Sequence, residues 1–208
     1  MRIERIEKSK HKQERVLVFL EGGDLLRITG AELLRFGLYK GMDLSPALVV
    51  ELQAAAQQSQ LKQTAARMAS GRMLSKKEVQ RRLTKKGATE EQAADTADWL
   101  ETLGAVDDEG YAGVIVRHYG AMGYGPGRVK QELHRRGVPR ELWDEALEGA
   151  ADPSAAIEEF LRKKWRGTLP DDPRELKKAS DALARRGYSW SDISEGLRRC
   201  GAETGPED

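Results

Sequence analysis

Cysteine is almost missing from this chain. Cys200 stands alone among 208 residues, which excludes an intramolecular disulfide and any metal centre built on clustered thiolates, and suits a reducing compartment. Aromatic residues are sparse as well, at 6% against 33% charged. Thin layers therefore fit better than one thick globule, and an elongated protein with much exposed surface is expected. No stretch approaches the roughly 18 consecutive apolar residues of a membrane span, and residues 1–13 alternate charged and polar side chains without the apolar centre of an export signal. The chain reads as cytoplasmic, with no membrane attachment. An excess of one charge is lacking too: 35 Lys and Arg face 34 Asp and Glu, for a formal net charge of +1. Bulk basicity is thus no argument for nucleic-acid binding, and any such binding must come from where the charges lie.

Signatures of catalysis are equally scarce. His11, His118 and His134 fall in different elements without the spaced Cys, Asp or Glu partners of a metal centre. No phosphate loop ending in Gly-Lys-Ser/Thr occurs. No cofactor, metal or catalytic residue is expected, and the chain reads as a protein that works by binding.

What is present begins with a short hairpin. Val16, Val18 and Leu20 alternate with Leu17 and Phe19, and after Glu21-Gly22-Gly23-Asp24 come Leu26 and Ile28, a strand, glycine turn and strand. Ile3 and Ile6 can supply a further strand. A two-stranded ribbon is marginal alone, so residues 31–38, with Leu33, Leu34, Phe36 and Leu38, are expected to cover it. Ser45-Pro46 then reads as a helix start, and the Ala-, Leu- and Gln-rich run to Arg67 as one long helix or two joined at 57–59.

From there the chain repeats itself. Leu83-Thr84-Lys85-Lys86-Gly87 returns as Leu133-His134-Arg135-Arg136-Gly137 and as Leu183-Ala184-Arg185-Arg186-Gly187, an interval of 50 residues. Each copy reads as a three-helix unit, the middle one built from 108–121, 126–136 and 139–147. Glycine ends the second helix because it accepts the left-handed conformation, and the basic pair before it suits the helix's negative end. Those pairs have a bland reading as dipole partners on a solvated face.

Charge position argues for more. Nine basic residues lie between Lys62 and Lys86 against Glu78 alone, whereas 87–114 holds eight acidic residues and no basic one. The second copy repeats the separation, with Glu132 the single acid in its basic stretch. Basic second helices and acidic third helices would give faces of opposite sign, suited to a charged repeating assembly.

Two local features invite chemistry. The 122–128 segment, with Gly123, Gly125, Gly127 and Arg128, could hold a phosphate at a helix start, or be a tight turn with Pro126 fixing helix entry. Asp107-Asp108-Glu109 could bind a cation, or cap the helix that carries Tyr111 and Ala112. Trp99, Trp143, Trp165, Trp190, Tyr111, Tyr119 and Tyr188 sit at helical spacing and read as core, with Tyr124 the exposed exception.

Together these motifs resemble a known family. Arg67…Gly71-Arg72-Met73-Leu74-Ser75-Lys76-Lys77-Glu78-Val79…Leu83…Lys86-Gly87, then Leu103-Gly104-Ala105-Val106-Asp107-Asp108-Glu109…Tyr111-Ala112…Arg117, then Gly125-Pro126-Gly127-Arg128-Val129…Glu132-Leu133…Gly137-Val138, and finally Leu183…Arg185-Arg186-Gly187-Tyr188-Ser189…Ile193 resemble the successive signatures of the RecX family. The resemblance covers about residues 62–200 and implies a mainly α protein of tandem three-helix repeats in an elongated curved arrangement. It also implies binding to the RecA recombinase filament, with its single-stranded DNA, and restraint of strand exchange and ATP hydrolysis. The family's basic positions map onto Arg67, Arg72, Lys77, Arg81, Arg82, Lys86, Arg117, Arg128, Arg135, Arg136, Arg185 and Arg186, and Lys85 joins them as half of the first basic pair. Gly87, Asp107, Asp108, Tyr111, Gly137 and Gly187 mark family motifs with a structural part.

The expected organisation is a hairpin region with a short helix at 1–44, a linking helix at 45–61, repeats at 62–106, 107–150 and 151–200, and a flexible tail at 201–208. A monomer is expected. Two departures stand out: the hairpin is long beside the helical core that defines the family, and Gly167-Thr168-Leu169-Pro170-Asp171-Asp172-Pro173 interrupts the third unit. A module that binds DNA directly, with protein contacts secondary, is the competing function; an adaptor for an unrelated protein is a third.

Overall fold

The computed structural model describes residues 1–10, 14–150, 152–166, 170 and 172–203. His11, part of the 167–173 interruption and tail residues 204–208 lie outside the described residues. The fold is mostly helical, with one small N-terminal antiparallel sheet.

Strands β1 (Ile3–Lys8), β2 (Arg15–Leu20) and β3 (Leu25–Thr29) pair in the order β1-β2-β3. Alternation sets the register: Val16, Val18, Leu20, Leu26 and Ile28 are buried together on one face, and Ile3 joins them from β1. Helix α1 (Gly30–Arg35) opens the expected cover, and Leu33, Phe36 and Leu38 pack on this core as expected. Leu34 is 82% exposed. The cover is completed by Leu44 and helix α2 (Pro46–Gly71), whose Val49 and Leu52 enter the same core. Each such side chain, fully buried, contributes about 1.5–3 kcal/mol, enough to stabilise strands that would be marginal as an isolated ribbon.

Helix α2 starts where Ser45 Oγ accepts the Leu48 N–H at 3.2 Å, with Pro46 in the first turn. It runs unbroken through 57–59 and past 61, where the linking helix was expected to end. Helices α3 (Lys76–Thr84) and α4 (Glu90–Thr102) follow, then α5 (Asp108–Ala121), α6 (Pro126–Arg136), a 3-10 turn (Arg140–Leu142), α7 (Trp143–Glu148), α8 (Pro153–Trp165), α9 (Pro173–Arg185) and α10 (Trp190–Glu203). Helix α10 extends to 203, three residues into the expected tail.

The chain divides into two compact units. One comprises Met1–Arg72 with Val79–Ala105; the other takes in Met73–Glu78, which includes the first turn of α3, and the chain from Val106 onward. In the first, α2 packs on both β3 and α4. In the second, α5, α6 and α7 share a core of Tyr111, Ala112, Ile115, Val116, Val129, Leu133 and Val138. Helices α8, α9 and α10 share another, centred on Ile157, Leu161, Leu183 and Ile193.

The 50-residue recurrence has a plain structural meaning. Leu83, Leu133 and Leu183 are each 0% exposed. Four residues on, Gly87, Gly137 and Gly187 take φ of 93°, 76° and 92°, and the next amide returns to the leucine carbonyl: Ala88 to Leu83 at 3.2 Å, Val138 to Leu133 at 3.0 Å, Tyr188 to Leu183 at 3.3 Å. This is the left-handed stop of a helix, repeated three times.

The aromatic reading needs two corrections. Trp190 is 62% exposed rather than core, because it opens α10 and Ile193, one turn later, takes the buried place. Tyr124 is half-buried, its ring 5.6 Å from Tyr119; Tyr39, at 64% exposure, is the tyrosine that faces solvent.

Candidate functional site

The thirteen basic candidates separate by what their side chains do. Arg67, Arg72, Lys77, Arg81, Lys85, Lys86, Arg117 and Arg185 are exposed. On α3 Lys77 and Arg81 lie along one helix face, since residues four apart are neighbours, with Lys85 in the turn just past its end, while Val79 and Leu83, both 0% exposed, hold the opposite face down. Arg82 is half-buried. Arg67 Nε donates to the Gln63 carbonyl within its own helix at 3.2 Å.

The remaining four brace the second unit. Glu132, 4% exposed, gathers three arginines: Arg135 donates to its carboxylate at 2.7 and 2.9 Å, while Arg128 and Arg136 each stand at 3.5 Å. The Arg135 hydrogen bond outweighs burial and holds the Glu132 carboxyl below its ordinary range. Arg136 Nη1 also donates to the Tyr111 hydroxyl at 2.8 Å. Burial opposes the charge of Arg136, yet the tyrosine hydrogen bonds prevail and its pKa is raised. Arg186 lies over the Phe160 ring at 4.9 Å, with Nη1 3.3 Å from the Gly123 carbonyl. These arginines act on the fold before they act on any partner.

The family-motif residues are structural in detail. Asp107 caps α5 by accepting the Gly110 N–H at 2.9 Å. Asp108, buried, instead accepts the Lys76 N–H at the start of α3 at 2.9 Å, so its carboxylate serves an amide of a different helix. Next to it, Ser75 Oγ accepts the Glu78 N–H at 3.1 Å and donates to the Arg136 carbonyl at 2.5 Å. A Cβ on Gly137 would stand 3.1 Å from Lys77 Cβ. The first turn of α3 is thus seated on the end of α6.

The same joint recurs one repeat later. Gly125 N–H donates to the Arg186 carbonyl and Gly127 N–H to the Gly187 carbonyl, both at 2.9 Å. A Cβ on Gly187 would fall 2.2 Å from the Arg128 nitrogen. This closes the phosphate reading of the 122–128 segment, because its amides are already spent on protein carbonyls.

Sequence reasoning passed over Lys62 and Trp99, which the first unit brings together with Nζ 5.1 Å from the indole centroid. Their separation by 37 positions left no local signal. Among the described residues no group of three or more His, Cys, Asp or Glu is placed to hold a metal ion, and no helix is long and apolar enough to cross a membrane.

The class this defines is a tandem three-helix-repeat protein with an N-terminal sheet and cation-bearing second helices. Residues 107–147 match the family model of the second three-helix domain of RecX, and 152–197 that of the third. The chain belongs to the RecX family. It is 36% identical over 124 residues to the regulatory protein RecX of Ectopseudomonas mendocina (strain ymp), covering 59% of this chain and 83% of the relative. To that of Geobacillus kaustophilus (strain HTA426) it is 31% identical over 199 residues, 93% of this chain and 74% of the relative. A crystal structure of regulatory protein RecX superposes with a TM-score of 0.75 at 22% identity, over 95% of this chain and 98% of that one. RecX from Lactobacillus salivarius gives 0.61 at 21% identity, over 70% and 97%. These two likenesses concern the fold.

Proposed function

We propose that this protein is a non-enzymatic cytoplasmic regulator that binds, as a monomer, the filament of RecA recombinase on single-stranded DNA, and restrains its ATP hydrolysis and strand exchange. The observation that carries the reading is the relationship to regulatory protein RecX along 93% of the chain. Exposed Lys77 and Arg81 on α3 and Lys85 just after it support a phosphate or acidic-protein partner, and Arg67, Arg72, Lys86, Arg117 and Arg185 extend the proposed contact set. Arg82, Arg128, Arg135, Arg136 and Arg186 are assigned to it in second place, because each is half-buried or already engaged.

The same cations favour a second reading, direct binding to DNA. The two separate in one experiment: the protein is titrated against single-stranded DNA alone, against recombinase with a nonhydrolysable ATP analogue, and against the assembled filament. Preference for the filament is expected. Equal affinity for bare DNA and filament would replace the first reading with the second.

A further inference from the structure

The N-terminal sheet has an open side. Among the described residues strand β3 pairs only with β2. The Leu20 N–H closes the hairpin on the Asp24 carbonyl at 2.9 Å. Alternation along an antiparallel ladder then turns the N–H and C=O of Leu25 and Arg27 away from β2. Among the described residues these groups meet no backbone partner on that side. An edge of this kind is a template for another strand.

Beside the edge runs a groove of about 340 Å³, with Leu26 and Arg27 on the strand side, Gln57 and Leu61 from α2, and Lys86 and Gly87 at the end of α3. Its far wall is the same helix stop that is occupied elsewhere in the molecule. At the two later copies, the carbonyls of Arg136, Arg186 and Gly187 accept hydrogen bonds from Ser75 Oγ, Gly125 N–H and Gly127 N–H. At the first copy Gly87 adopts the same left-handed turn, yet a Cβ there would meet nothing within 4 Å. Among the described residues no donor reaches the Lys86 or Gly87 carbonyl.

Charge narrows the occupant. Arg27 and Lys86 are exposed on opposite sides of the groove, and no acidic residue lines it. We infer that this groove is a docking site for an extended acidic peptide segment of a partner protein, which pairs as a fourth strand with Leu25 and Arg27. Its amides also supply the Lys86–Gly87 stop with the donors its two counterparts already have. Backbone pairing would give affinity, and acidic side chains facing Arg27 and Lys86 would give preference. A nucleic-acid strand satisfies the cations but offers no backbone amide to the strand edge. The inference shares Lys86 with the proposed filament contacts, but its test needs neither recombinase nor filament.

The test uses the full chain, ¹⁵N-labelled, and three capped hexapeptides: alternating Val-Glu, alternating Val-Lys, and the Val-Glu peptide N-methylated at alternate residues. Val-Glu should shift the amides of Leu25, Arg27 and Gly87 saturably, and the other two should not bind. The double variant Arg27→Glu, Lys86→Glu should bind Val-Glu at least about tenfold more weakly, with the remaining sheet amides unmoved. Absence of saturable shifts at these amides would overturn the proposal. Equal binding of the Val-Lys or N-methylated peptide would do the same, as would identical shifts from oligothymidylate. The peptide comparisons decide the matter even where the double variant disturbs the hairpin.

Discussion

Glu132 shows how a residue that looks like an interruption can organise its surroundings. It is the one acid in the basic stretch of the second repeat, and its spacing to Arg128, Arg135 and Arg136, at four before, three after and four after, was legible as helix-neighbour pairing. Its burial was not legible, since that depends on how α6 lies against α5. Replacing Glu132 with Gln should destabilise the protein by about 1–3 kcal/mol, because the guanidiniums lose their buried counter-charge. Urea denaturation would read this, and a change within about 0.5 kcal/mol would refute it. The carboxyl has a lower pKa folded than unfolded. Its contribution is therefore complete above the unfolded value near 4.5 and is lost as pH falls from there through the folded value. The wild type should weaken across that acidic range by more than the Gln variant. Gly87 and Gly187 make a second comparison at this scale. Both hold positive φ, so Ala at Gly87 should cost about 1 kcal/mol. At Gly187 the new Cβ would also strike the Arg128 backbone, raising the cost to about 2–4 kcal/mol. Equal melting shifts for the two variants would contradict the close approach.

Among the elements, the repeated feature is a helix start seated on a helix stop. Ser75 bonds both the Glu78 amide inside α3 and the Arg136 carbonyl at the end of α6, so Ser75→Ala should lose about 1–2 kcal/mol of stability. Thr at the same position should recover most of it. A Thr variant as unstable as the Ala variant would argue against the hydroxyl's double role. The helices were readable from caps, prolines and the Leu-x-x-x-Gly interval, because those signals act over a few residues. The joints between them were not: Ser75 and Arg136 are 61 positions apart, and a period of 50 says that units recur without saying which ends touch. The same gap explains the glycines of the 122–128 segment, whose sequence suits an anion nest and whose amides are spent instead on Arg186 and Gly187. The sheet was legible from alternation and so was most of its lid, since Leu33, Phe36 and Leu38 pack on the core while Leu34 faces solvent; the share that α2 takes depends on long-range packing and was not.

For the whole molecule, near-zero net charge hides an uneven distribution: exposed cations crowd α3 while α4 begins with Glu90 and Glu91. A partner drawn to the cations would be bound less tightly as salt rises, because interactions between exposed charges are screened over about 8–10 Å at ordinary ionic strength. Reversing Arg81, Arg82, Lys85 and Lys86 to Glu should impair the proposed filament binding far more than reversing Glu90 and Glu91. Helicity should be retained, since three of the four side chains, all but the half-buried Arg82, are exposed and exposed charges contribute little to folding. Collapse of the helical signal would assign these side chains to the fold. The most direct measurement is the rate of DNA-dependent ATP hydrolysis by the matching recombinase as this protein is added. The account predicts that the wild type lowers the rate in a saturable way and that the folded quadruple variant does so only at much higher concentration. An unchanged rate with the wild type, or equal inhibition by the variant, would contradict it.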